Sequence, residues 1–173
     1  SKGAVVNNAA WRLTHALSSL RNADHQVTID GFYELMTPPT ELEQSFVEKI
    51  PFNGEKLKEN YGLKQPLITE KTTWSPQAAL ILYPTMTISG MLSGYTGPGS
   101  KTVLPRRAQA KIDVRLVPGM DPEDVYDVIR RHWDAQGFSD IELKLITGEK
   151  AFRTDLTDPF VQTVLESARK VYG

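Results

Sequence analysis

Three histidines, a glycine-rich loop and one charged strand face are the features whose residue types and spacing could do chemistry. Hydrolysis at neutral pH needs an activated nucleophile, a metal-bound water or paired carboxylates. His15 and His132 fall in helical periodicity, and His25 falls in a turn. No two of them form a His-x-x-x-His pair, and none is followed directly by Glu, so no metal ligand is assigned. Ordinary helix and turn histidines are expected. No Gly-x-Ser-x-Gly elbow supports a serine nucleophile.

The loop GYTGPGSKT, residues 94–102, has some of the glycines of a phosphate loop. It lacks the four-residue gap before Gly-Lys-Thr, and it runs into a strand instead of a helix. The helix N-terminus that would complete an anion site is missing, which excludes nucleotide binding. Two readings stay open. The glycines and Pro98 simply permit a wide hairpin connection, or Gly97, Gly99 and Ser100 bring bare backbone against a ligand. Downstream, Lys111, Asp113 and Arg115 share one strand face. An ion pair on a wet face is the usual outcome of such a pattern. The alternative is that Asp113 orients Arg115 toward a carboxylate, whose two oxygens match the planar guanidinium. The pattern alone favours the first.

The elements that would hold these groups follow from periodicity. Residues 4–21 step apolar residues by three and four, giving an amphipathic helix. HQVTID at 25–30 alternates as a short strand. A polar excursion over 31–84 contains a helix capped by Thr40, a helix from Asn53 to Tyr61 ended by Gly62, and helical residues at 77–82. TMTISGML at 85–92 alternates, and 106–117 alternates strictly, with Ala108, Ala110, Ile112, Val114 and Leu116 on one side. Asp121-Pro122-Glu123-Asp124 starts a helix that Gly137 ends. Ile141, Leu143 and Leu145 alternate in a last strand. Residues 148–156 are a linker, and a helix runs from Pro159 to about residue 172. The order helix, strand, strand, strand, helix, strand predicts an α+β, two-layer ferredoxin-like sandwich. It would have a four-stranded, mainly antiparallel sheet with two helices on one face and a helical insertion. The final helix lacks a partner.

The chain has 173 residues, enough for one domain with a hydrophobic core. Twenty basic and 21 acidic residues leave a net charge of -1, with no concentrated positive surface for nucleic acid or anionic membrane. The absence of cysteine removes disulfides and thiolate metal sites and fits a cytoplasmic location. No apolar run reaches the roughly 20 residues of a membrane span. Both ends break into amphipathic runs, so an excised fragment is expected.

Three segments, GAVVNNAAWRLTHALSSL, VTIDGFYE and TISGMLSGYTGPGSKTVLPRRAQAKIDVRLVPGMDPEDV, occur in the order seen in one family. The chain resembles the lid, or dimerisation, domain of the dinuclear-metal peptidases of family M-twenty. That family holds the carnosine and nonspecific dipeptidases, acetylornithine deacetylase and succinyl-diaminopimelate desuccinylase. The Gly-Ser-Lys-Thr-Val-x-Pro and Lys-x-x-x-Arg-Leu-Val-Pro segments point to the dipeptidase-like branch by resemblance, and the excursion at 31–84 supports it. The resemblance implies a lid over 1–147 and a return segment over 148–173 leading to an absent catalytic domain. It implies a homodimer through this domain and a dipeptide or N-acyl amino acid substrate. Two divalent metal ions, zinc by resemblance, would be held outside this chain, which binds no cofactor and is inactive alone. It further implies substrate contacts by Thr102 and Arg115, some reaching across the dimer, with Gly97, Gly99 and Ser100 closing as a loop. Two other functions stay open: a stand-alone small-molecule-binding module, and the lid of an N-acyl amino acid deacylase.

Overall fold

The computed structural model describes residues 2–172. Helix α1 spans Ala9–Ser18, because Asn8 caps it by accepting from the backbone N–H groups of Ala10 and Trp11. Val5 and Val6 lie outside it and exposed, so the helix starts later than its apolar spacing predicts. Helix α2 is Glu41–Val47, α3 is Gly54–Tyr61 and α4 is Pro76–Ile81. Strand β1 is Thr85–Ser93 and β2 is Ala108–Arg115. Helix α5 is Pro122–Ala135 and α6 is Pro159–Tyr172.

The main core joins Leu13, Ala16, Leu17 and Leu20 from α1 and the turn after it to Val125, Val128, Ile129 and Trp133 of α5. Phe32, Met86, Val117 and Met120 complete it, and the inner face of β2 packs against it. Each fully buried large apolar side chain contributes about 1.5–3 kcal/mol. The buried indole N–H of Trp133 is satisfied, donating to the Ala16 carbonyl at 2.9 Å. Arg12 clasps the far end of α5. Its guanidinium pairs with Asp140 at 2.5 Å, donates to the Gly137 carbonyl and lies 4.6 Å from the Phe138 ring centroid.

The strands β1 and β2 pair antiparallel, from Thr85 opposite Arg115 to Ser93 opposite Ala108. Ser89 is the extra residue of a bulge between Ile88 and Gly90, and its hydroxyl donates to the Lys111 carbonyl. Beyond β2 the chain turns at Gly119, whose φ is +93°. A Cβ there would stand 2.5 Å from the backbone nitrogen of Thr37, which donates to the Pro118 carbonyl at 2.7 Å. Only glycine permits that approach.

The expected four-stranded, ferredoxin-like sheet is not formed; the described residues hold a two-stranded sheet. Val27 and Ile29 are buried as their alternation predicts, but 25–30 makes a single bridge, Arg21 to Val27. Its backbone bonds go elsewhere: Thr28 donates to the Leu20 carbonyl and Val27 to the Tyr33 hydroxyl. Ile141 and Leu143 likewise pack on the core without a ladder. Arg130 of α5 donates to the carbonyls of Phe138 and Ile141, and the Tyr126 hydroxyl to that of Leu143. Alternation therefore reports one-sided burial, and side chains took the place of a neighbouring strand.

The segment 31–84 carries its own small core of Val47, Ala78 and Leu82, flanked by Trp74 and Tyr83. Those two rings stack at 3.9 Å, and Tyr33 meets Trp74 edge-on at 5.8 Å, tying this core to the first. Thr40 and Glu43 close a capping box on α2, and Asn53 and Gly62 bound α3. Helix α6 buries none of its described residues; Phe160, Val171 and Tyr172 are exposed.

Candidate functional site

The strict alternation of β2 survives in the fold: Ala108, Ala110, Ile112 and Val114 are half-buried, and Gln109, Lys111, Asp113 and Arg115 are exposed. Arg115 donates from Nε to Asp113 Oδ2 at 3.2 Å, and its side chain is 82% exposed. Its Nη groups make no hydrogen bond to the described residues. Thr85 and Thr87 stand opposite Arg115 and Asp113 across the ladder. This corner presents a half-satisfied guanidinium beside two hydroxyl-bearing residues, an arrangement able to receive a carboxylate.

The loop 94–107 joins the other end of the hairpin. Gly97, Gly99, Ser100 and Thr102 all lie in it, exposed and without helix or ladder. Tyr95 organises its first half: its hydroxyl donates to the Pro98 carbonyl at 2.9 Å, and Lys101 Nζ lies 5.7 Å from the ring centroid. A Cβ at Gly97 would meet the Tyr95 hydroxyl at 2.7 Å, so that glycine makes room for the ring. Sequence reasoning passed over Tyr95, although an aromatic set between Gly94 and Gly97 was the signal for it.

Thr102 and Arg115 belong to parts of the chain that leave opposite ends of the hairpin. The loop hangs from the Ser93–Ala108 end, whereas Arg115 closes the ladder at the Thr85 end. Seven strand steps of about 3.3 Å separate Arg115 from the loop's base by roughly 23 Å.

No group of three or more His, Asp or Glu among the described residues could hold a metal ion. His15 stacks on Trp11, and His132 bonds Ser19 through Nε2 at 3.1 Å. His132-Trp133-Asp134 has a ligand-like spacing, but Asp134 turns to Arg130 at 2.8 Å. The residues present do not fit a metal centre. No helix among the described residues is long and apolar enough to cross a membrane.

A groove of about 450 Å³ separates α1 from β1, lined by Leu17, Leu20, Met86, Ile88, Met91 and Ile112 among others. Ile88 and Met91 are 50% and 51% exposed despite facing the core side of the sheet. A half-covered apolar strip beside the edge of β1 that no other strand pairs among the described residues is a surface that another chain can cover.

Comparison with known proteins gives concordant matches. The model of the family described as Peptidase dimerisation domain matches residues 1–140. A Cys-Gly metallodipeptidase of Saccharomyces cerevisiae is 30% identical, covering 99% of this chain and 36% of its own length. A Beta-Ala-His dipeptidase of Mus musculus is 26% identical, covering 99% and 35%. Among solved structures, a metallo-carboxypeptidase of Sulfolobus solfataricus superposes with a TM-score of 0.80 at 33% identity, covering 99% of this chain and 44% of that one. A di-peptidase of Saccharomyces cerevisiae gives a TM-score of 0.75 at 26% identity, covering 99% and 36%. The chain thus spans about a third of the length of the curated relatives it matches.

Proposed function

The chain belongs to the peptidase dimerisation domain family, and from that premise we propose that it is the dimerising, substrate-gating lid of a dinuclear-metal dipeptidase or related amidohydrolase. Residues 1–147 are the lid, with 31–84 as its insertion, and 148–173 return the chain to a catalytic body. The two divalent metals, zinc by family resemblance, belong to that body, where they would activate water. This chain's part is to bind, orient and enclose. The Arg115 fork takes a substrate carboxylate, the Thr102 hydroxyl donates to it, and the loop with Gly97, Gly99 and Ser100 closes to expel water. A dipeptide, whose free carboxylate suits Arg115, is the substrate class, in keeping with the dipeptidases named above.

One observation carries this reading: Arg115 and the loop of Thr102 leave opposite ends of the same hairpin. A small substrate touched by both is best served by Thr102 of one copy and Arg115 of another, which makes dimerisation part of the site. The half-exposed strip of Ile88 and Met91 beside α1 is the surface where the second copy sits.

The test is complementation in the full-length enzyme. Thr102→Ala and Arg115→Ala subunits are each expected to be impaired alone. Randomly mixed, half the dimers are hybrids with one intact site of two, so activity should return to about a quarter of wild type. No recovery on subunit exchange, verified by mass spectrometry, would place both residues in one subunit's site or in none.

A further inference from the structure

Between α5 and α6 the chain crosses two elements as a strap. Residues 148–156 form no helix or ladder, and among the described residues 148–154 make no backbone hydrogen bond. Such a segment is held by its side chains. Gly148 sits so close to Pro122 that a Cβ would approach it to 2.5 Å. Lys150 pairs with Asp121 at 2.8 Å, largely in water. Arg153 pairs through Nε with Glu43 of α2 at 2.6 Å, and here both side chains are shielded, at 22% and 12% exposure. Shielding spares this pair the solvent screening that weakens the other.

Glu43 has a second task. Its other oxygen accepts from the Thr40 backbone N–H at 2.7 Å, the reciprocal half of the α2 capping box. One carboxylate thus closes the first turn of an inserted helix and anchors the strap. Nη1 of Arg153 is buried with no protein acceptor, so docking leaves the guanidinium incompletely satisfied. A contact that is shielded, shared and opposed by a desolvation cost is poised between made and broken.

We propose that Arg153 and Glu43 form a release latch, by which the inserted segment at 31–84 and the strap at 148–156 order each other and are freed together. The latch depends on neither dimerisation nor catalysis. It is tested on the 173-residue chain by hydrogen exchange of α2 and by cleavage after Lys150 with a lysine-specific protease. Arg153→Met should speed exchange at the amides of residues 43–47 by on the order of tenfold, leaving α5 unchanged. Glu43→Gln keeps an amide oxygen for the capping box and should still speed cleavage after Lys150 by on the order of tenfold. If each substitution disturbs only its own segment, or if α5 exchange rises equally, the latch does not exist.

Discussion

Arg115 donates to Asp113 two positions back on the same exposed face of β2, using Nε and leaving its Nη groups toward solvent. Asp113 thereby aims the guanidinium while the fork stays open. Since neither residue contributes to the core face, Arg115→Ala should leave Tm unchanged in the full-length enzyme. Its kcat/KM should fall roughly tenfold to a hundredfold, about 1.5–3 kcal/mol of charge-assisted contact. Arg115→Lys should rescue only part, because an ammonium cannot bind two oxygens in a plane. Normal kinetics in Arg115→Ala would leave it a surface ion pair and nothing more.

The strip at Ile88 and Met91 makes a second expectation. Met91→Lys puts a charge on the core-side face of β1 where a second copy is proposed to pack. Light scattering should show monomer, with dissociation raised on the order of a hundredfold. Leu92→Lys, on the opposite face, is the control and should remain dimeric. Equal behaviour of the two would move the interface elsewhere.

Gly119→Ala should destabilise without touching any ligand contact. It combines a φ of +93° with a Cβ pushed to 2.5 Å from the Thr37 nitrogen. Backbone strain alone costs about 1–3 kcal/mol, and a melt should fall by roughly 4 °C or more. An unchanged Tm would mean the 37–38 and 118–119 backbones part easily.

Acid should loosen the joint between α1 and α5. The hydrogen bond from Arg12 holds the Asp140 carboxyl below the ordinary range, and that from Arg130 does the same for Asp134. A carboxylate whose folded pKa is depressed contributes stability that is full above the unfolded value of about 3.9 and is lost as pH falls through the folded value. Asp140→Asn should therefore lower Tm at neutral pH, and its difference from wild type should vanish in strong acid. A difference that persists at low pH would assign the loss to packing of Arg12 on Phe138.

How much of this could be read beforehand depended on whether a signal was local. The start of α5 was legible because Pro122 opens it with Glu123 and Asp124 in the first turn, although the Asp121 side chain caps nothing and pairs with Lys150, and the face of β2 because burial alternates residue by residue. The segments 25–30 and 141–145 show the limit. Their alternation is real, but whether a strand forms depends on a free neighbouring edge, and Arg130 and Tyr126 took up those carbonyls instead. In the candidate site the exposed, alternating face that carries Arg115 was legible, whereas the loop that carries Thr102 has no periodicity from which to place it. Thr102 and Arg115 are thirteen positions apart in sequence, yet β2 lies between Arg115 and the base of the loop that carries Thr102, so the loop springs from the far end of an extended strand.

The bulge at Ser89 has a mechanical side. It shifts the parity of β1: Met86 and Ile88 face the core before it, Met91 and Ser93 after it. Deleting Ser89 would keep every pairing on either side and straighten the strand. The extra residue is therefore an elbow, and the stretch from Gly90 to the loop's tip is the forearm. A small change of angle at the elbow is multiplied along that arm into displacement of Thr102. The loop's root thus stands four residues beyond a bend made by a serine that lies outside the loop itself.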